Sequence, residues 1–482
     1  DVGITTCPIH PQDWAVEESE SGLCPVAETD HLLTLTGELP VDQEDLPKRH
    51  LFLVFPTNVP GYVPKVSYHN LRIAIVSRLL RNPVIPPMAQ QQHWRDVSKR
   101  WFSILSTYYG NPTPITQEWD ELVGEWLDHF RSTKKKAKYA RLVSEHRGDS
   151  ALCATPQTTD LFVKHDEMLF QQKDGYHILK PRIISNVDAS FQTLAGPFIY
   201  KTIKNLSNAF SIYRDSSVIT CENGLCFLLH IAMAGSSSDA DLSEWMRRVM
   251  ERHYVPLSKT GICILVSGDD SAVAICFTDR IQWVEGDASM FDSTQGRGPL
   301  YEQYRLFAHA GCPQKWTSKL SFLVHNKYAA RPKRKDYDVA LFFIDKSQRP
   351  MRDTGNSDTY GGNSTVMFSA WFYVAMLLKD KWFVPRGTID SSDEVVSTFR
   401  HLGLEMKIQF PTDWRHVSFL KGAWYEYENR YLWGPLPSRF LKMGKCLRDP
   451  RTLYRTRSIQ EAAQLYCRDV ANSYSTFLQV PI

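Results

Sequence analysis

Residues 261–292 read GICILVSGDDSAVAICFTDRIQWVEGDASMFD and hold the carboxylates whose spacing could do chemistry. An apolar run, 262–266, meets Ser267-Gly268-Asp269-Asp270, and a second apolar run, 272–277, follows. Gly-Asp between two strand-like runs marks a hairpin, because glycine supplies the positive φ that such turns need. Thr278-Asp279-Arg280 makes a second turn, and a third strand starts at Ile281 and ends at Gly286-Asp287. In an up-down-up meander, seven residues descend (271–277) and seven climb back (281–287), which returns Asp287 to the level of Asp269 and Asp270. Like charges gathered at one sheet end repel unless a cation sits among them. Two magnesium ions about 3.5–4 Å apart meet that need, since such hard cations take carboxylate oxygen and commonly serve a triphosphate substrate. Gly-Asp-Asp by itself is also ordinary turn chemistry.

Other stretches carry complementary groups. LFVKHDEMLFQQKDGYHILKPRIIS (161–185) has two strand-like pieces around Asp174-Gly175 and carries Lys164, Lys173, Lys180 and Arg182. Alternation puts Lys180 and Arg182 on one strand face, suited to a triphosphate or its departing pyrophosphate. A charge-protected edge strand is the other reading. TGNSDTYGGNS (354–364) is rich in glycine, hydroxyls and amides and runs straight into an apolar helix. Such a loop brings backbone near a ligand and offers neutral hydrogen bonds to sugar hydroxyls, but it lacks the lysine of a phosphate-binding P-loop. Asp292 lies five residues past Asp287, where a helix cap is its alternative role.

The elements that must position these groups sit in a chain of 482 residues, 43% hydrophobic and 23% charged, which is globular composition with room for two to four domains or one multi-lobed enzyme. A formal charge of +3 means that an anionic ligand must meet local basic patches rather than a global field. Ten cysteines show no CxxC pairing, Cys221 and Cys226 being the closest couple, and they read as reduced core thiols of a cytosolic protein. The uncharged stretch 365–378 is too short to span a membrane and reads as a buried helix; no signal peptide is visible. The start at Asp1, without methionine, is that of a processed or trimmed product.

Along the chain, residues 1–50 form an acidic, turn-rich arm. Helices are predicted at 70–80, 91–107 and 116–130, the last with a core stripe of Trp119, Leu122, Trp126 and Phe130. Lys134, Lys135, Lys136 and Lys138 follow as a solvated helix end or an RNA-backbone contact. Residues 192–250 are mixed and largely helical, with an uninformative loop at 235–239. Residues 297–350 are an inserted helix and hairpin, 417–426 another hairpin, and the tail from Arg430 is basic and partly helical.

Together, roughly residues 160–425 resemble the motif set of viral RNA-dependent RNA polymerases. KPRII resembles the basic fingers motif, GDASMFD the first aspartate motif of the palm, and SGDD the second. TGNSDTYGGNS matches [ST]GxxxTxxxN position by position, while GLEMK and FLKGAWYE resemble the motifs that end the palm and begin the thumb. SGDD precedes GDASMFD, a circular shift similar to that of the permuted polymerases of birnaviruses and permutotetraviruses. Birnavirus enzymes carry Ala-Asp-Asn at Gly268-Asp269-Asp270, so the permutotetravirus group is the nearer likeness. In an antiparallel palm, the Gly-Asp-Asp hairpin neighbours the first-aspartate strand, so a short turn joining them changes loops and keeps spatial order.

The resemblance implies an α+β right-hand fold of fingers, palm and thumb, with an antiparallel palm sheet of permuted connectivity. Its parts would be an N-terminal arm (1–50), fingers (51–260 with 295–353), palm (261–294 and 354–415) and thumb (416–482). Asp269 and Asp287 would ligate two Mg²⁺ ions, replaceable by Mn²⁺, with Asp270 assisting. Asp292 and Asn363 would read the ribose 2′-hydroxyl, with Ser357 or Thr359 shaping the loop. Lys164, Lys180 and Arg182 would hold phosphates, Lys407 would act as the general acid toward pyrophosphate, and Lys421 would support the primer end. The implied partners are RNA template, nascent RNA and nucleoside triphosphates, in replication and transcription of an RNA genome in the host cytoplasm, or packaged in the virion. Self-nucleotidylation stands as a hypothesis with no acceptor visible. Two alternatives compete. Another two-metal polymerase, such as a reverse transcriptase, is disfavoured by Asp292 with Asn363. A non-catalytic RNA-binding protein is disfavoured by intact Asp269, Asp270, Asp287 and Lys180.

Overall fold

The computed structural model describes residues 16–19, 34–36, 52–53, 61–64, 68–81, 83–110, 114–130, 132–146, 154–164, 181–215, 218–222, 225–235, 237–330, 342–347, 349–382, 392–443, 445–446 and 450–475. The chain is α+β. Its central sheet has six strands: β1 (Val218–Glu222), β2 (Leu225–Met233), β3 (Gly261–Ser267), β4 (Asp270–Cys276), β5 (Ile281–Ala288) and β6 (Met406–Gln409). They lie in the order β6-β5-β4-β3-β2-β1. β3, β4 and β5 form the expected meander, with turns just long enough to reverse the chain.

The sheet is antiparallel except between β2 and β3, which pair in parallel. The reason is the connection: helix α1 (Asp239–Met250) carries the chain from one to the other, and a crossover of that kind returns it in the same direction. α1 starts in the stretch that showed no chemistry by sequence. Ser238 and Asp241 exchange side-chain and backbone hydrogen bonds in a capping box, a signature that 238–241 spells out.

β3 and β4 are continuous apolar runs because both faces of the sheet are covered. One face carries Ile262, Ile264, Val266, Val273 and Ile275 against Trp101, Phe368 and Trp371. The helices over it include α2 (Thr359–Trp382), which contains the apolar stretch expected to be a buried helix. The other face carries Cys263, Leu265, Ala272, Ala274 and Trp283 against Trp245 of α1, Trp414 of the short helical turn Trp414–His416, and Trp424 and Trp433 of the C-terminal hairpins. Among the described residues, no helix is long and apolar enough to cross a membrane.

A second sheet has the strand order 34–36, 342–345, 327–330, 158–163, 183–186. In it Thr158–Val163 pairs antiparallel with Ile183–Asn186. These strands stop short of the expected pieces, since Lys164 and Arg182 lie just beyond them and Lys173 and Lys180 fall outside the described residues. The expected strand face with Lys180 and Arg182 is therefore not among the described strands. Lys327–Ala330 pairs with Phe342–Asp345, the inserted hairpin, and Thr34–Thr36 of the N-terminal stretch pairs with the latter. The Lys134–Lys138 run opens its own helix, Thr133–Glu145, rather than ending the preceding one, which stops at Asp128. One cysteine departs from the reduced-thiol reading: Cys226 is disulfide-bonded. Cys263, Cys276, Cys312 and Cys467 are free.

Candidate active site

The β3–β4 connection is a two-residue turn, since Asp270 pairs with Ser267 and leaves Gly268 and Asp269 between them. Gly268 has φ +63°, the left-handed value a first central residue needs in a turn whose twist suits a hairpin. Its N–H donates to Ser364 Oγ of α2 at 2.9 Å, tying the turn to the start of the buried helix. In the β4–β5 ladder Asp270 stands opposite Asp287, and Ala288 N–H donates to the Asp269 carbonyl at 3.0 Å. The strand count therefore places the carboxylates at the level that the sequence implied.

Alternation puts Asp270, Glu285 and Asp287 on the face shared with the C-terminal hairpin. That hairpin joins Ser418–Phe419 to Gly422–Tyr427 through Leu420 and Lys421, both with positive φ (52° and 58°). A leucine in this conformation is strained and persists only where its surroundings hold it. Here they do. Leu420 N–H donates to Asp270 Oδ2 at 2.8 Å, and Ser418 donates its N–H (2.6 Å) and hydroxyl (3.0 Å) to Glu285 Oε2. Two sheet carboxylates thus fix the turn that presents Lys421. From the other side, β6 places Lys407 directly opposite Asp287, with Nζ to Oδ2 at 3.7 Å. Both side chains are largely exposed, so this pair sets local charge more than it adds stability.

The electrostatics are those of a carboxylate cluster. Burial first, and then Asp287, Asp269 and Glu285, push the Asp270 carboxyl up to about 7 against the opposing hydrogen bond from Leu420. Burial and then Asp269 raise Asp287, while Lys407 and Lys421 pull it down. Among the described residues no three His, Cys, Asp or Glu side chains converge as a ready metal cage. The orientation explains why: one Asp270 oxygen serves Leu420, and one Asp287 oxygen faces Lys407. The donor chemistry still fits a hard divalent cation, which takes few protein carboxylates and completes its shell with water and substrate phosphate. Asp269 and Asp287 suit that role best, with Asp270 offering its second oxygen.

Beyond β5 the chain reaches Asp292, and the predicted sugar-reading pair is a direct contact: Asn363 Nδ2 donates to Asp292 Oδ1 at 2.9 Å. Burial raises the Asp292 carboxyl; Asn363, Arg352 and Arg182 lower it, and Asp269 raises it. The charges of the metal candidate, the ribose candidate and the phosphate candidate therefore act within one field. In the loop, Thr359 donates its hydroxyl to the Asp353 carbonyl at 2.8 Å, and Ser357 N–H donates to Asn356 Oδ1 at 2.8 Å.

The same loop is clamped to the second sheet. Ser185 N–H donates to Thr354 Oγ1 at 2.9 Å, and Thr354 N–H donates to Ser185 Oγ at 2.6 Å. A Cβ on Gly355 would run into the backbone carbonyl of Ser185, an obstacle that cannot rotate away. Gly355→Ala is expected to cost about 1–3 kcal/mol of stability. Denaturant unfolding of the two chains checks it; equal midpoints would show that the clamp yields freely.

Lys164 and Arg182 each lie one residue beyond the Thr158–Val163/Ile183–Asn186 ladder, where Lys164 N–H donates to the Arg182 carbonyl at 2.7 Å. Lys180 and Lys173 lie outside the described residues. Gln295, Gln303, Arg352 and Asp358 lie behind Asn363, are all buried, and went unread in the sequence. Only their burial marks them, since isolated polar residues in a chain look like solvated ones. Neither a comparison with protein-family models nor one with curated proteins returns a match.

Proposed function

We propose that this chain is a viral RNA-dependent RNA polymerase with permuted connectivity, of the permutotetravirus type, extending RNA from nucleoside triphosphates. The observation that carries the reading is the register of Asp270 with Asp287, joined to the Asp292–Asn363 hydrogen bond on the same strand's continuation. A random Gly-Asp-Asp turn has no reason to meet a second aspartate across the ladder and a carboxylate–amide pair just beyond it. In this reading β3 to β6 of the central sheet are the palm, and β1 and β2, which fall in the range given to the fingers, extend the same sheet. The second sheet belongs to the fingers, and the Leu420–Lys421 hairpin opens the thumb.

Asp269 and Asp287 would hold two Mg²⁺ ions, with Asp270 assisting; the bound ions supply Lewis-acid activation of the primer hydroxyl and neutralisation of the triphosphate. The primer 3′-oxygen forms a bond to the α-phosphorus while the bond to pyrophosphate breaks. Arg182 and Lys164, with Lys180, hold the phosphates. Lys407, on the neighbouring strand, is the group available to return a proton to the leaving pyrophosphate. Lys421, presented by its strained turn, supports the primer end. Asp292 and Asn363 accept and orient the ribose 2′-hydroxyl, which favours ribonucleotides and disfavours a reverse transcriptase.

The test is incorporation of labelled nucleotides on a primed homopolymer RNA with Mg²⁺ or Mn²⁺, offering ribo- and deoxyribonucleotides in parallel. Ribonucleotide-dependent extension supports the reading. RNA binding without incorporation under either metal would favour the non-catalytic RNA-binding alternative.

A further inference from the structure

Behind the Asp292–Asn363 pair runs a buried chain of hydrogen bonds. Arg352 Nε donates to Gln295 Oε1 at 2.8 Å, Gln295 Nε2 donates to Asn363 Oδ1 at 2.8 Å, and Asn363 Nδ2 donates to Asp292 Oδ1 at 2.9 Å. On its far side Arg352 donates to Gln303 Oε1, and Gln303 Nε2 donates to Asp358 Oδ2 at 2.7 Å. Gln295 and Gln303 are fully buried, and Arg352, Asp358 and Asn363 are less than a tenth exposed.

An amide can present either end to a neighbour, so an isolated Asn363 could offer Asp292 its oxygen or its nitrogen. This chain removes the choice. A guanidinium only donates and an ionised carboxylate only accepts. With Arg352 at one end and Asp292 at the other, only one orientation of the two intervening amides satisfies every contact. Reversing either amide would set two acceptors or two donors face to face among side chains that are buried.

Resting on the polymerase reading above, we propose that Gln295 and Arg352 are positioning residues for sugar selection: they set the polarity of the Asn363 amide and so hold Asp292 as the acceptor for the ribose 2′-hydroxyl. A 2′-deoxy sugar leaves that acceptor unpaired, and discrimination of this kind is large only where the acceptor is held in place. Arg352 is the anchor because its charge is balanced on the far side by Asp358, at 3.5 Å. Gly362 of α2 leaves room for this, since a Cβ there would meet Arg352 Nη1 and Gln303 Oε1.

Gln295→Glu keeps the acceptor for Arg352 but removes the donor to Asn363, so the amide turns and presents its oxygen to Asp292. Single-nucleotide extension of an RNA primer–template by the full chain gives kcat/KM for a ribonucleoside triphosphate and for its 2′-deoxy analogue. The ratio is expected to fall at least about tenfold in Gln295→Glu. Arg352→Lys, which keeps a donor toward Gln295, should retain more of the ratio than Arg352→Met. Gly362→Ala disturbs the anchor from the helix side without removing any polar group and should lower the ratio too. If Gln295→Glu does not fold by thermal melting, Gly362→Ala decides. An unchanged ratio in a folded, active variant overturns the inference and leaves the polymerase reading standing. An intact chain that extends RNA with neither sugar overturns the reading and the inference with it.

Discussion

Replacing Asp287 by Asn is expected to lower ribonucleotide incorporation at least about a thousandfold, and Asp269→Asn to do the same, with RNA binding retained. The two substitutions change charge and not shape. In Asp287→Asn the new side chain would keep its place opposite Asp270 in the β4–β5 ladder, because that register is set by the backbone and by apolar neighbours such as Val273 and Val284. What is lost is anionic oxygen at the sheet end, which a divalent cation requires. Asp269 is exposed at its turn and takes the Ala288 N–H with its backbone carbonyl, which the substitution keeps, so loss of its charge should leave folding untouched. Steady-state extension of a primed template, with thermal melts as the folding control, checks both. Incorporation that survives Asp287→Asn would mean that the β5 carboxylate is not part of the metal site, and the proposed role of the cross-strand register would fail.

Asp270 should behave differently, and the second large effect is on stability. Its carboxyl is pushed up to about 7 from 3.8, so the folded chain holds that proton more tightly than the unfolded one. The sign follows from linkage: the contribution is fully present below about pH 4, is lost as pH rises through about 7, and stays lost above. At about 1.4 kcal/mol per pKa unit, the cost at pH 8 without a divalent cation is on the order of a few kcal/mol. Asp270→Asn removes the charge yet keeps an oxygen for the Leu420 N–H, so it should melt a few degrees higher than the intact chain at pH 8 in chelator, and equally at pH 4. Asp270→Ala also relieves the charge but abandons the strained Leu420–Lys421 turn, and should gain less. Mg²⁺ at pH 8 should raise the melting temperature of the intact chain more than that of Asp270→Asn. A difference between intact and Asn chains that is independent of pH would refute the assignment of the buried charge.

In the proposed reading these two aspartates, neighbours in sequence, divide between ion and scaffold. The division has a physical origin in the hairpin. Asp269 is a turn residue and projects from the sheet end, whereas Asp270 is the first ladder residue and shares its face with Glu285 and Asp287. On that face the C-terminal hairpin packs, and its N–H groups at Ser418 and Leu420 find acceptors in Glu285 and Asp270.

How much of this was legible in the chain itself depends on the range of the forces involved. The meander from Gly261 to Ala288 was readable residue by residue, because short turns and a fixed rise per residue determine register locally. The hairpin at 417–426 and the buried helix at 365–378 were readable for the same reason: glycine and apolar patterns act over a few residues. The parallel β2–β3 pair was not, since a crossover is decided by what the intervening helix packs against. Nor was the disulfide at Cys226, a residue that the spacing of the cysteines reads as a reduced thiol. Only the tertiary structure brought Lys407 opposite Asp287, Leu420 to Asp270, and Arg352 and Gln295 behind Asn363. Those contacts join residues far apart in the chain, and a buried hydrogen bond leaves no pattern in the sequence because its strength comes from the exclusion of water, which the folded chain alone provides.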